Sequence, residues 1–570
     1  MVGGISGNNE GRELGWLPIC FFAVLVGGVS GFGAWLFRLL IGLIHNFLFL
    51  GEFSLFYDAN IHTPASPWGA GVILVPVVGA LGVVWLVKNF APEAKGHGVP
   101  EVMDAIYFKQ GRIRPVVAVV KSLASALSIG SGGSVGREGP IIQIGAAFGS
   151  TLGQLVVMPT HQRNLLIAAG AGAGIAATFN VPLGGLVFAI ELLMVSISAK
   201  TILPVAIATV TGTYFSRMLL GMSPSFDIPA LQLPPVHEIS PLVLILFIPF
   251  GALIGLIAVV FTRGIYWAED KFDSLPGGYY ARHVLGMVGV GLIIYLMQQY
   301  AGHYYLQGLG YATINDLLRL TLNDPSFLLL LFALKLVVTC LTLGSGASGG
   351  VFSPSLFMGA TFGAAMGHLL LLAFPDLPVS PALFAVAGMA GMIGGTTGAV
   401  VTAITMILEM TRDNHAVLPV ILTVAMAYGV RKALSNESIY TLKILRRGEV
   451  VPEGLEAAID SAQRACDLME TDFQKQKESA QISKDGGFQT PVLHVHEGAI
   501  RGLFLSGHEL SYVIVSPLTG MTETLKVMAA AKAEAVLVSE RPESGGAGDV
   551  LGVITSREIA HAACKKAVLI

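Results

Sequence analysis

The sequence predicts an all-α polytopic membrane protein with a small α/β domain at its C-terminal end. Three observations carry this reading. Only 12% of the 570 residues are charged and 53% are hydrophobic, whereas a soluble domain carries about 25% charged residues. Runs 164–190, 241–262 and 336–375 hold no charged residue, and each is long enough to supply the roughly 20 apolar residues that cross a bilayer. Beyond "ILRRGEVVPEG" (444–454) charge rises to about a quarter of residues, an ordinary soluble value. A single very large buried core is the competing reading, and runs of this length weigh against it.

Taken in order, 1–15 reads as an N-terminal cytoplasmic segment, 16–447 as the transmembrane domain and 448–570 as a cytoplasmic domain. "MVGGISGNNEGRELGW" has no basic stretch ahead of an apolar run, so no cleaved signal peptide is expected. Lys443, Arg446 and Arg447 mark the junction, and the positive-inside rule puts the tail in the cytoplasm. A net charge of −3 argues against a nucleic-acid partner. Cys20, Cys340, Cys466 and Cys564 have no paired or metal-like spacing and are expected to be free thiols.

The membrane part is not a set of plain spanning helices. "GAGAGIAATFNVPLGG" and "GMAGMIGGTTGA" break apolar runs with Gly, Pro and small polar residues. At bilayer depth such segments are tolerated only where protein buries them or they line a cavity. There is also an internal repeat. "LSIGSGGSVGREGP" (127–140) matches "LTLGSGASGGVFSP" (341–354) without a gap, and Lys121 and Lys335 precede them at equal distance. Further on, "AGAGAGI" (169–175) answers "AGMAGMI" (387–393), and at that offset Glu191 falls opposite Glu409. A duplicated membrane core is a common plan for transporters and channels. The match leaves open whether the copies are parallel or inverted.

A Gly-Ser loop opening a helix has a physical use. The first turn carries unpaired N–H groups and a partial positive charge, and glycine lets the backbone approach a ligand. Two such loops can hold a dehydrated anion without a formal cation. Two other readings stand beside this one. Both loops fit G-x-S-x-G, around Ser134 and Ser348, a nucleophile pattern that would suit an intramembrane serine protease using Ser348. Small residues in membrane helices also simply allow close packing. The duplication favours the anion reading, because a hydrolase needs one nucleophile.

"GREGP" (136–140), "GGVFSP" (349–354) and "GHGVPE" (96–101), supported by "FNVPLGG" and "ILEMT", resemble the CLC family of chloride channels and proton-coupled anion exchangers over roughly 27–447. In the third loop His97 stands where the family has serine. The resemblance implies a homodimer with one pathway per subunit, each built from two inverted repeats of tilted, broken helices. It implies that Glu138 is the gate, and that Arg137, Gly139, the N–H groups of Val351 and Phe352, Tyr440 and His97 surround the anion. Glu191 and Glu409 are expected to cap helix ends. Many exchangers have a second acid directly after the position of Glu191; here it is Leu192. That favours passive chloride flux with weak or absent proton coupling, with an exchanger as the alternative.

"ACDLMETDFQ" (465–474) and "VLGVITSREIAHAA" (550–563) resemble the start of one CBS module and the end of another, implying a dimerising tail and an adenine nucleotide as a conceivable ligand. "SERPESGGAGDV" (539–550) reads as a loop. No catalytic residue, metal or resident cofactor is expected. The expected partners are chloride or a similar small anion, protons, the bilayer and a second copy. The expected place is the cell membrane, the inner one if the source is bacterial.

Overall fold

The computed structural model describes residues 13–195, 197–221, 241–451, 465–477, 491–496, 499–505, 508–517, 519, 521–542 and 546–558. Cys564, most of the N-terminal segment, 543–545 of the expected loop and 559–563 of the second CBS-like motif lie outside them. By contacts the chain divides into two compact units, 1–194 with 198–454, and 455–570 with 195–197.

The first unit is helical. In chain order it contains α1 (Trp16–His45), α2 (Val75–Phe90), α3 (Val99–Tyr107), α4 (Pro115–Gly130), α5 (Glu138–Leu155), α6 (Thr160–Phe179), α7 (Pro182–Leu192) and α8 (Ala199–Leu220). Then come α9 (Pro241–Ser274), α10 (Gly278–Ala301), α11 (Tyr311–Leu318), α12 (Pro325–Ser345), α13 (Phe352–Ala373), α14 (Pro381–Thr397), α15 (Val400–Thr411), α16 (Val417–Leu434) and α17 (Thr441–Leu445). Eight helices among the described residues are long and apolar enough to cross a membrane. Others are too short, as the Gly/Pro interruptions predict: Pro182 opens α7 and Pro381 opens α14. The chain is a multi-pass membrane protein.

The second set of eight helices repeats the first. α5 packs on α6 as α13 packs on α14; α1 packs on α8 as α9 packs on α16; α2 packs on α4 as α10 packs on α12. The same glycines make the crossings. A Cβ at Gly145 would strike the Gly170 carbonyl, and one at the equivalent Gly359 would strike that of Gly388, so only glycine permits these approaches. The copies also exchange contacts reciprocally. Ser134 Oγ bonds Thr339 Oγ1 at 2.9 Å, and its counterpart Ser348 bonds Ser125 at 2.9 Å. Such exchange is the mark of a two-fold axis. The repeats are therefore related by a two-fold axis, as inverted repeats are.

In the second unit β1 (Gln474–Lys477) pairs in parallel with β2 (Val492–His496), which continues antiparallel into β3 (Ala499–Leu505) and β4 (His508–Leu510). A second sheet runs β5 (Tyr512–Val515), β6 (Ala535–Ser539) and β7 (Val550–Thr555), with β5 and β6 parallel. α18 (Ala465–Leu468) precedes both sheets and α19 (Met521–Ala530) joins β5 to β6. β6 is buried on both faces: Ala535 and Leu537 enter one apolar cluster, Val536 and Val538 the other, following the period of two. Cys20, Cys340 and Cys466 are free thiols.

Candidate functional site

Three glycine loops meet in the first unit, each opening a helix. Gly98, Arg137 and Val351 are the N-caps of α3, α5 and α13, and none caps its helix with a side chain. The first-turn N–H groups are thus left for another acceptor. Backbone bonds lock the loops together. Gly136 and Gly350 exchange N–H···O bonds of 2.7 Å, the Gly96 N–H donates to the Ala347 carbonyl at 2.9 Å, and the Gly349 N–H donates to the Gly96 carbonyl at 3.3 Å. Gly136 and Gly350 are equivalent positions of the two repeats, so the two-fold axis passes between them. A Cβ at Gly139 would lie 3.1 Å from Gly350 Cα and 3.3 Å from Gly98 N. All three loops touch there.

Two buried lysines hold the loops. Lys121 Nζ donates to the carbonyls of Ala94 and Gly96 at 3.0 and 2.6 Å; Lys335 Nζ donates to those of Leu306 and Gly308 at 3.0 and 3.1 Å. This pairing exposes a correspondence that the ungapped match missed. "GHGV" (96–99), leading into α3, answers "GLGY" (308–311), leading into α11. Hence Leu309 stands opposite His97, and Tyr311 opposite Val99.

Glu138 is the first residue of α5 and is 1% exposed. Its Oε1 accepts from the Tyr311 hydroxyl at 2.8 Å and from the Ser353 hydroxyl. Its Oε2 is buried without a hydrogen-bond partner among the described residues. A Cβ at Gly136 would meet both that Oε2 and the backbone N of Ser353, and one at Gly350 would lie 3.3 Å from Oε2. The carboxylate therefore rests where the glycine loops cross, against the N-terminus of α13. The Arg137 guanidinium stacks on the Tyr311 ring at 5.3 Å. Val351 and Phe352 form the N-terminal turn of α13, and the Phe352 ring packs on Phe179 at 5.4 Å.

Tyr440 is the N-cap of α17, 3% exposed, and its hydroxyl bonds none of the described residues. Its ring lies 6.1 Å from that of His97. His97 Nε2 is 3.2 Å from the Tyr266 hydroxyl, which donates to the Ile439 carbonyl at 2.6 Å. Tyr266 has one proton and spends it on Ile439, so His97 Nε2–H is the donor. His97 is thereby clamped to the segment that carries Tyr440. Lys443 also reaches this loop, since a Cβ at Gly96 would lie 2.7 Å from its Nζ. Lys443 further lines a cavity of about 370 Å³ with Lys95, Arg447, Glu93, Glu101 and Glu269.

The family model for the voltage gated chloride channel matches residues 78–432. The chain belongs to the CLC family. It is 32% identical over 436 residues to the H(+)/Cl(-) exchange transporter ClcA of Vibrio parahaemolyticus, a match covering 74% of this chain and 88% of the relative. It is 30% identical to ClcA of Yersinia pestis over 66% of this chain and 78% of that one. Among solved structures, a slow cyanobacterial Cl-/H+ antiporter superposes with a TM-score of 0.67 at 26% identity, over 76% of this chain and 99% of that one. A eukaryotic CLC transporter shares the fold over 95% of this chain and 98% of its own, at 19% identity and a TM-score of 0.63.

In this CLC protein the two intramembrane acids act as caps, as expected. Glu191, near the end of α7, accepts from Val401 N at 3.1 Å, Thr402 N at 2.8 Å and Thr402 Oγ1 at 2.7 Å. Glu409, near the end of α15, accepts from Leu183 N at 3.1 Å and Gly184 N at 2.7 Å. Each helix caps the other. Leu192 is buried and apolar. The residue that the sequence reading missed is Tyr311. Its one signal is the "GLGY" echo of "GHGV", which lacks the serine and acid that drew attention to the other loops.

Proposed function

We propose that this chain is a proton-coupled chloride exchanger with Glu138 as the gate. The observation that carries the proposal is the seat of Glu138. A carboxylate occupies the crossing of three glycine loops against the N-terminus of α13, whose first-turn N–H groups have no side-chain cap and are suited to a small anion. Chloride and carboxylate then compete for one place, and a proton on Glu138 removes the competitor. Arg137, Gly139, Val351, Phe352, Tyr440 and His97 surround the path in this reading. Leu192 alone pointed to passive flux. The relatives named as H(+)/Cl(-) exchangers favour coupling instead. The carboxylates around the Lys443 cavity supply acids that Leu192 does not. The cytoplasmic side of that cavity and tail, the inner membrane of a bacterial source, the homodimer and a CBS-like, nucleotide-accepting tail belong to the same proposal.

Non-enzymatic function is also part of this proposal. Ser348 Oγ donates to the Ala94 carbonyl at 2.7 Å and pairs with Ser125, and Ser134 makes the equivalent exchange with Thr339. Both G-x-S-x-G serines are tied into the loop lattice in the same way, which leaves the protease reading without support.

The test uses purified protein in liposomes under a chloride gradient, with internal pH recorded. Sustained uphill proton movement at a fixed ratio to chloride is expected. Downhill chloride flux with no proton movement would return the protein to the passive class.

A further inference from the structure

We propose that Tyr311 is a positioning residue: its hydroxyl, together with that of Ser353, latches the ionised Glu138 in the closed position and so sets the pH at which the pathway opens. The proposal rests on Glu138 being the gate and adds what holds that gate shut.

The placement is specific. Tyr311 is the first residue of α11 and is fully buried. Gly310 before it has φ +76°, which glycine adopts without strain, and Lys335 fixes the carbonyls two and four residues further back from Gly310. The phenol therefore enters the site on a rigid stem. Its hydroxyl is 2.8 Å from Glu138 Oε1 and 2.7 Å from Ser353 Oγ, and Ser353 also donates to Oε1. Two hydroxyls from the second repeat thus converge on one oxygen of the gate.

The other oxygen explains how the latch releases. Oε2 is buried and has no partner among the described residues, so it is the atom open to a proton. A hydrogen bond to a carboxylate is about twice as strong as one between neutral groups. Protonation at Oε2 leaves Oε1 a neutral carbonyl and weakens both latch bonds together. The latch is selective for the charged, closed gate.

Other charged and titratable groups near this pair come from several elements. Arg137 lies on the same loop, over the Tyr311 ring. Arg38 on α1 interacts electrostatically with Arg137, Tyr311, Tyr57 and Asp58. Tyr440, before α17, interacts with Glu138. None donates a hydrogen bond to Oε1, so removing the Tyr311 hydroxyl is not compensated by them.

Tyr311→Phe tests the idea, because the ring keeps its packing and its stack with Arg137. Chloride flux into liposomes is measured against external pH for wild type, Tyr311→Phe, Ser353→Ala, Glu138→Gln and Tyr311→Phe/Glu138→Gln. With one of two charge-assisted donors gone, a lower proton concentration opens the gate. The profile of Tyr311→Phe moves upward by about one pH unit, the scale of one such bond, and Ser353→Ala moves it in the same direction. Adding Tyr311→Phe to Glu138→Gln changes nothing further. A wild-type profile in both Tyr311→Phe and Ser353→Ala, with pH dependence abolished in Glu138→Gln, overturns the latch and leaves the gate standing. A wild-type profile in Glu138→Gln overturns the gate itself. A shift that persists in the double variant also overturns the latch, since Tyr311 would then act elsewhere.

Discussion

Glu191 sits one residue before Leu192, the position on which the expectation of weak proton coupling rested, so its role decides how that apolar residue is read. The hydrogen bonds make it a cap, and the consequence of removing it can be worked out. Glu191→Ala strips acceptors from Val401 N–H, Thr402 N–H and the Thr402 hydroxyl. Thr402 is fully buried, so two of the three lost bonds leave donors with no water to turn to. At about 1–3 kcal/mol for each of the two buried donors left unpaired, plus up to about 1 kcal/mol for a carboxylate lost from a helix N-terminus, the cost is about 2–7 kcal/mol. Glu191→Gln keeps one acceptor oxygen and should lose about half of that. Glu409→Ala frees only the Leu183 and Gly184 N–H groups, so it should fall between the two. The assay is thermal unfolding of purified protein alongside chloride and proton flux in liposomes, normalised to folded protein. The melting temperature should fall in the order Glu191→Ala, Glu409→Ala, Glu191→Gln, with the flux ratio unchanged. A Glu191→Gln protein that melts like wild type but moves no protons would refute the reasoning and put this acid on the proton path.

Three further outcomes follow from the loop crossing. Glu138→Gln and Glu138→Ala should carry chloride at a high rate independent of external pH; wild-type flux should rise as pH falls, because a protonated carboxyl no longer competes as an anion, and flux read against external pH decides it. Gly139→Ala places a methyl 3.1–3.5 Å from Gly350 and Gly98, so chloride affinity by calorimetry should fall about ten-fold, about 1.4 kcal/mol, with unfolding temperature nearly unchanged. Ser348→Ala should keep anion flux and lower thermal stability by about 1–3 kcal/mol, the cost of orphaning a buried partner; loss of a peptidase activity in that variant would revive the enzyme reading.

Much of this was readable from the chain because membrane constraints are coarse and strong. The charge-free runs 241–262 and 336–375 fall in spanning helices, whereas 164–190 is broken between α6 and α7 at Asn180 and Pro182; the gapless match from Leu127 and Leu341 located the two loops that cross. The repeat match alone did not give the relation between the copies, because a parallel and an inverted copy have the same sequence match; the family resemblance implied inversion. Reciprocal contacts such as Ser134–Thr339 and Ser348–Ser125 add the two-fold axis between them. Tyr311 was missed for a related reason. "GLGY" lies at an offset two residues different from that of the serine loops, so a single ungapped alignment passes it by. A lone tyrosine beside an apolar run also looks like an interfacial anchor. The passive-flux expectation is less favoured than the exchanger alternative, because the relatives are named H(+)/Cl(-) exchangers. It rested on one side chain, Leu192, while proton transfer needs only some acid within reach, and the cavity near Lys443 brings Glu101 and Glu269 together from distant parts of the chain.

Function here arises where the two-fold symmetry is broken. The backbone crossing obeys it: Gly136 and Gly350 bond each other, and Lys121 and Lys335 hold equivalent carbonyls. A symmetric pair of helix N-termini would bind an anion and do nothing else. The side chains at equivalent places differ. Glu138 falls opposite Phe352, so only one repeat supplies a charge that competes with the anion. Gly139 falls opposite Ser353, so only one supplies the hydroxyl that reaches that charge, while the other stays bare enough for three backbones to meet. Val99 falls opposite Tyr311, which puts the second hydroxyl on the same side as the first. His97 falls opposite Leu309 and is clamped through Tyr266 to the segment of Tyr440. In the proposed gate, the first repeat therefore provides the carboxylate, and the second provides the hydroxyls that hold it. An exchange of Val99 and Tyr311 between the repeats would preserve composition, yet it would take the proposed latch hydroxyl away from the gate.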